Sequence, residues 1–446
     1  MNHDFSNQKL RGRSFKGQNL EGANFTYADI RGADFTQANL TGADFSHATA
    51  GLQKRWATFL LCTSFLISGV SGFLSPFVGV LIIYLIFFNI SVQDVVIGWT
   101  ILIIVIVTSI SILRQGLNSA GAVAVAVAVA VAGVFAGAGV LAGVLAVALA
   151  GAVAVAVAVA VAVAGAVAVA GAFFGVFSGA GALAVVLALA FFGIFTGAGA
   201  LLLALAGPGA EAGAFTGAVA VALALAVLSV YIAWKAMRGD EKYSLVRNIA
   251  VAFAAFGGTS FRDATLTDVN FMGTLLKNTD FRKANLTRTC FHKTQELDLV
   301  RPGVSYLQNS QVRQVLITGQ GQGKNFDRQD LRGVNFKKAN LADASFVGAD
   351  LSEANLQDAD LSGVKLVKAQ LNSTDFTGAT LTGAYIKDWG ITSDTKFDGV
   401  RCEYVYMQLP TKENPDPLRK PDNNEEVFAD GEFGDFIKPI FDTLDL

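Results

Sequence analysis

The chain has 446 residues, of which 52% are hydrophobic and only 16% charged, with a mean hydropathy of +0.47 and a formal net charge of −2. So apolar a composition excludes an ordinary soluble domain and requires a part that spans a membrane, and the balanced charge leaves no electrostatic footprint for nucleic acid. Three cysteines and three histidines, scattered without ligand spacing, exclude a disulfide framework and give no metal cluster.

The first block, residues 1–50, places a Phe, Leu or Ile at every fifth position, from Phe5 through Leu10, Phe15, Leu20, Phe25, Ile30, Phe35 and Leu40 to Phe45. A helix advances about 100° per residue, so side chains five apart spiral around it in steps of about 140° and never form one buried stripe. A flat strand throws them to alternate faces. Burying them all requires one bend per repeat, which winds five-residue sides into a prism with the large residues stacked inside. The small residue two places earlier, as in Ala23, Ala33 and Ala43, shares that narrow interior, where a bulkier one would overpack. Asn24 and Asp34, between the small and large residues, are poor β-formers and good turn formers, and are expected to point outward.

Residues 54–115 read as a transmembrane hairpin. No charge falls between Ala57 and Phe88 or between Val95 and Leu113, and each stretch suffices for a span of about 20 residues. Trp56, Trp99 and Trp234 sit at ends of apolar segments, as membrane-interface aromatics do. Lys54 and Arg55 before the hairpin and Arg114 after it place both outer ends in the cytoplasm. Residues 119–236 form a low-complexity region of Ala, Val and Gly whose only charge before Lys235 is Glu211. Its Ala-Val alternation has the period of a strand and leaves a barrel open. The copies FFGVFSGAGAL and FFGIFTGAGAL, 18 residues apart, and the glycines at 171, 175 and 179 suit close-packed helices. An α-helical transmembrane domain is therefore expected, with an even number of spans and homo-oligomer formation through small-residue helix faces as one partnership.

The beat returns in residues 259–293 at Phe261, Leu266, Phe271, Phe281, Leu286 and Phe291. It returns again in residues 324–402 at Phe326, Leu331, Phe336, Leu341, Phe346, Leu351, Leu356, Leu361, Leu366, Leu371, Phe376, Leu381 and Ile386. These two blocks keep one register, and the first is expected to stack on the coil beginning near Phe261, making the membrane domain an insertion into a single solenoid. Residues 294–323 read as a break containing a short helix over Ser310–Thr318, capped by Asn309 or Ser310 and covering the solenoid with Val312, Val315 and Leu316. The following GQGQGK lacks the first Gly and the final Ser or Thr of a phosphate loop, and reads as a turn.

The run KANLADASFVGADLSEANLQDADLSGVKL resembles the A(D/N)LXX unit of the pentapeptide-repeat family, and residues 312 onward resemble cyanobacterial members, some of them held in membranes. The resemblance implies a right-handed quadrilateral β-helix with four repeats, or about 20 residues, per coil and coils about 4.8 Å apart. It is nearly silent on function, because the family includes topoisomerase-protecting DNA mimics, effector-like proteins and many uncharacterised members.

The tail, residues 403–446, carries from Pro410 ten acidic residues against four basic. Phe433, Phe436, Ile437, Ile440, Phe441 and Leu444 follow one helical face, with Pro439 expected to start or kink the helix. That face is expected to cap the solenoid's open end or meet a partner. Neither catalytic residues nor a metal site nor a cofactor is expected. The sequence thus points to a non-enzymatic membrane-anchored scaffold, in plasma or thylakoid membrane, with its repeats in the cytoplasm and membrane lipid and unnamed proteins as partners. The alternatives are an accessory component or regulator of membrane transport or lipid export and, against the charge balance, a topoisomerase-binding DNA mimic.

Overall fold

The computed structural model describes residues 3–53, 55, 56, 58, 59, 231, 235, 240–243, 247–249, 251, 252, 255–412, 416–429 and 431–442. The chain divides into two compact units, one formed by Met1–Leu52 together with Gly258–Leu446 and the other by Gln53–Gly257. The expected spans within 54–115 and 119–236, with Trp99 and Trp234, lie outside the described residues. Among the described residues no helix is long and apolar enough to cross a membrane.

In the first unit each five-residue repeat makes one side of a coil. Phe25 and Ala23 point inward, both with no exposed surface. The chain turns at Thr26 and Tyr27, closed by the Ala28 N–H donating to the Phe25 carbonyl at 3.0 Å. Tyr27 takes φ 58°, the sign that a type II turn demands at its third residue. Four such sides return the chain above its starting point, so bridges join residues twenty apart in parallel: Asp4 to Asn24 to Asp44, Lys9 to Asp29 to Thr49.

The Asn and Asp residues lie in these bridges, not in the turns, which corrects the reading of them as turn formers. Their backbone carries the ladder, while the side-chain oxygen accepts the N–H two residues on, as Asp34 Oδ1 does from Thr36 N at 3.0 Å. A short polar side chain that bonds its own backbone forward favours bending after each bridge, which explains its place here.

The ladder crosses the gap in sequence. Asp34 pairs with Ser260, Asn39 with Thr265, Asp44 with Asn270 and Thr49 with Leu275. Phenylalanines continue the stack through this joint: Phe15, Phe35, Phe261 and Phe281 form one column and Phe5, Phe25, Phe45, Phe271 and Phe291 another, each ring nearly parallel to the next. The two columns meet edge to face, a geometry that adds about 0.5–1.5 kcal/mol per pair beyond burial.

Several inward small positions hold Thr in place of Ala, and its hydroxyl donates to a carbonyl of the neighbouring coil. Thr259 reaches Ile30, Thr274 reaches Phe45, Thr289 reaches Leu266 and Thr374 reaches Leu351, at 2.7–2.9 Å. Thr279 is fully buried and its hydroxyl finds no partner, nor does the amide nitrogen of neighbouring Asn278. Thr374→Val is therefore expected to cost about 1 kcal/mol, whereas Thr279→Val, which removes an unsatisfied hydroxyl at nearly constant shape, is expected to be neutral or stabilising. Denaturation midpoints of the two variants test this, and equal losses would refute it.

After Arg301 the regular ladder stops. One 3-10 turn, Leu297–Leu299, lies just before this last bridge, and a second, Tyr306–Gln308, follows it and leads to helix α1, Ser310–Thr318. Asn309 caps α1 by accepting from Gln311 and Val312 N–H, and Val312, Val315 and Leu316 are buried. The ladder resumes at Gln320, inside the segment read as a break, and continues to Arg401. Strands β1 (Ala384–Tyr385), β2 (Val405–Tyr406) and β3 (Arg419–Lys420) end it, β1 parallel and β3 antiparallel to β2. Helix α2, Glu432–Asp442, closes this end with Phe433 and Ile437 buried and Phe433 edge-on to Phe397. The helix runs through Pro439 and does not start there. Phe433 and Ile437 of the tail's apolar face thus serve as a cap, and Leu444 lies outside the described residues.

Candidate interaction surfaces

The interior is filled as the five-residue beat dictates. Phe25, Ile30, Phe35, Leu40, Phe45, Phe261, Leu266, Phe271, Phe281, Leu286, Phe326, Leu331, Phe336, Leu341, Phe346, Leu351, Leu356, Leu361, Leu366, Leu371, Phe376, Leu381 and Ile386 are all buried. Each repeat therefore offers the outside only its bridge residue and the two residues of its turn, and any recognition must use those positions. Among the described residues no group of three His, Cys, Asp or Glu side chains could hold a metal ion. His47 stacks on Tyr27 at 4.9 Å and His3 on Phe5 at 5.9 Å. Burial raises the Cys290 thiol and pushes that of Cys402 up to about 12, so both are held as thiols. In the second unit, half-buried Trp56 lies edge-on to Phe59 and Phe256.

Among the described residues, concavities interrupt the prism at two places of note. The larger, about 580 Å³, opens at the break, between Asn285–Thr287 on one coil and Asp330–Gly333 on another, with Tyr306 beneath. The coils rejoin beside it, where the Arg288 N–H donates to the Gly333 carbonyl at 2.6 Å. Tyr306 is a filling residue that the sequence reading missed, although it stands on the five-residue beat counted from Phe261. Its hydroxyl donates to the Leu286 carbonyl at 2.8 Å, and burial drives its pKa strongly upward. Arg313, also missed, is nearly buried, and its guanidinium donates to the carbonyls of Leu307 and Gln308, closing the second 3-10 turn. The smaller concavity, about 470 Å³, has Gly363 and Gly383 as its floor and Asp343, Lys365, Tyr385 and Tyr404 around it. Arg419 lies over the Tyr404 ring at 4.6 Å.

The GQGQG stretch is accounted for by packing. Gly319 ends α1 at φ 70°, and Gly321 occupies a beat position at which every other block carries a large residue. A Cβ on Gly321 would stand 2.7 Å from Leu341 Cδ2 and 3.0 Å from Val315 Cγ2, so the missing side chain is replaced by Val315 of α1. Gly321→Leu is expected to cost at least about 1–3 kcal/mol through overpacking. Gly321→Leu combined with Val315→Ala is expected to recover part of it, and a double variant no better than the single one would rule out the exchange of volumes.

Comparison with protein families places these observations. A model described as Pentapeptide repeat region matches residues 324–397, and one described as Pentapeptide repeats (8 copies) matches residues 4–37, 19–50 and 254–292. The first unit is a pentapeptide-repeat solenoid. Solved structures similar to it include a pentapeptide repeat protein of Nostoc Pcc 7120, at 24% identity over 19% of this chain and 84% of that one, TM-score 0.17. HetL, a pentapeptide repeat protein involved in heterocyst differentiation regulation from Nostoc sp. strain PCC 7120, matches at 16% identity over 33% of this chain and 60% of that one, TM-score 0.17. QnrB1, a plasmid-mediated fluoroquinolone resistance protein, matches at 15% identity over 32% and 79%, TM-score 0.14. No curated protein matches the chain.

Proposed function

We propose that the chain is a non-enzymatic, membrane-anchored scaffold whose pentapeptide-repeat solenoid binds other proteins on the cytoplasmic side of a plasma or thylakoid membrane. The observation that carries this reading is the join at Gly51 and Thr259. The Gly51 N–H donates to the Thr259 hydroxyl at 2.9 Å, and the same hydroxyl donates to the Ile30 carbonyl at 2.9 Å. The chain thus leaves the solenoid and re-enters it at one spot, and everything between, where the long uncharged stretches lie, is a single insertion into a ladder that runs from Asp4 to Arg301. An apolar insertion tethered at one corner is the connectivity expected of an anchor that leaves the outward positions of the coils available. Scaffolding follows from what those positions are: regularly spaced polar and charged side chains on a rigid frame.

Single cysteines at Ser14, Ser91 and Ser352, with native cysteines removed, test the reading in sealed, oriented vesicles. Labelling of Ser14 and Ser352 from the cytoplasmic side and of Ser91 only from the other is expected. Labelling of Ser14 and Ser352 from opposite sides, or release of the chain from the vesicles by alkaline wash, would overturn it.

A further inference from the structure

The four sides of the first coils differ in charge, and the difference follows the insertion. Bridge columns identify the sides: Lys9, Asp29, Thr49 and Leu275 mark the side from which the chain departs, and Ser14, Asp34, Ser260, Asp280 and Arg301 mark the side on which it returns. Between residues 3 and 301 of the solenoid, these two sides carry ten basic residues against six acidic, and the other two sides carry two basic against four acidic. Only Arg288 and Lys293 among the basic residues lie elsewhere. On the return side Arg262, Arg282 and Arg301 follow one another on successive coils. Arg282 pairs with Asp280 and Arg262 with Asp263, but among the described residues Lys9, Lys16, Lys283 and Arg301 form no ion pair. Burial and the neighbouring Arg282 push the Arg301 guanidinium down from its ordinary value, which an approaching anion would relieve.

We propose that these two basic sides form a docking surface for a bilayer that carries anionic phospholipid headgroups. The inference rests on the anchor reading and adds to it which faces of the solenoid meet the membrane. A bilayer suits the observations better than another polyanion. The basic residues are spread over two whole sides and not gathered into a cleft, and the apolar insertion departs from the corner between them. No aromatic side chain occupies an outward position on either side to stack a base. The other two sides, each slightly acidic, then face away and remain open to proteins.

The test uses the full chain reconstituted into liposomes of phosphatidylcholine, alone or mixed with phosphatidylserine, containing a headgroup-linked quencher. A fluorophore is carried on a single cysteine at Ser14, on the return side, or at Ser6, on the opposite side. With phosphatidylserine present, quenching at Ser14 is expected to exceed that at Ser6 by about twofold or more, and high salt is expected to abolish the excess. Arg262→Gln, Arg282→Gln and Arg301→Gln together should remove the excess, and the corresponding lysine variant should retain it. Equal quenching at Ser6 and Ser14 in a chain that stays bilayer-embedded through an alkaline wash would refute the basic surface alone. Release by that wash would refute the anchor and the inference with it. Equal quenching with binding of a nucleic-acid duplex would assign the surface to another polyanion and overturn the proposal.

Discussion

Replacing Phe261 with alanine is expected to destabilise the solenoid by about 3–5 kcal/mol, the range for emptying a fully buried aromatic position. Phe261 is the first large residue after the insertion and has no exposed surface. Its ring stacks on Phe35 at 5.0 Å and on Phe281 at 5.4 Å, and meets Phe45 and Phe271 edge to face at 5.5 and 5.4 Å. No equivalent side chain lies close enough in sequence to fill the hole, because the neighbouring beat positions are already occupied. A solenoid transmits stability only between neighbouring coils, so the loss should be local. Amides of residues 5–45 are expected to exchange faster in the variant, while those of residues 340–385 keep their protection. Uniform acceleration along the whole stack would show that the joint is no weaker than the rest, and unchanged exchange would show that Phe261 does not hold the first coils in place.

The five-residue beat made the interior legible because each inward position has a single requirement, size, and the sequence states size directly. α1 was legible for a similar reason: Asn309 is a strong cap and Val312, Val315 and Leu316 lie on one helical face. The places that escaped are those where the rule is met by a substitute from elsewhere in the chain. Gly321 looks like part of a flexible loop until Val315 is seen to occupy its space. Tyr306 keeps the beat, but the Glu, Arg and Gln at the surrounding beat positions, Glu296, Arg301 and Gln311, hide it. The bridge residues were misjudged because strand propensity was applied to a one-residue bridge, where backbone bending matters more than packing on a pleated face. The charge asymmetry was legible only in part: residues 259–293 hold six basic residues against three acidic, an excess that already pointed to anionic headgroups. Counted along the chain the first block is balanced, and only the folding of every fifth residue into four sides separates basic from acidic.

The corner where the insertion departs makes a second large effect predictable. Gly51 has φ 112°, and a Cβ there would run into the Lys277 carbonyl. Its N–H meets the Thr259 hydroxyl, and its carbonyl accepts from Gly32 N–H at 2.8 Å. Any side chain must therefore break backbone contacts on two coils at once as well as adopt a conformation that costs a non-glycine residue about 1–3 kcal/mol. Gly51→Val is expected to lose more than about 3 kcal/mol. Gly17 supplies the control, because its φ is 66° yet nothing lies within 4 Å of a Cβ placed there, so Gly17→Val should show the backbone cost alone. Equal shifts of the unfolding midpoint in the two variants would mean that the corner is not tightly packed. A much larger shift at Gly51 would locate the closure of the solenoid at the residues between which residues 53–257 are inserted. The first and second blocks would then depend on that corner to fold as one body.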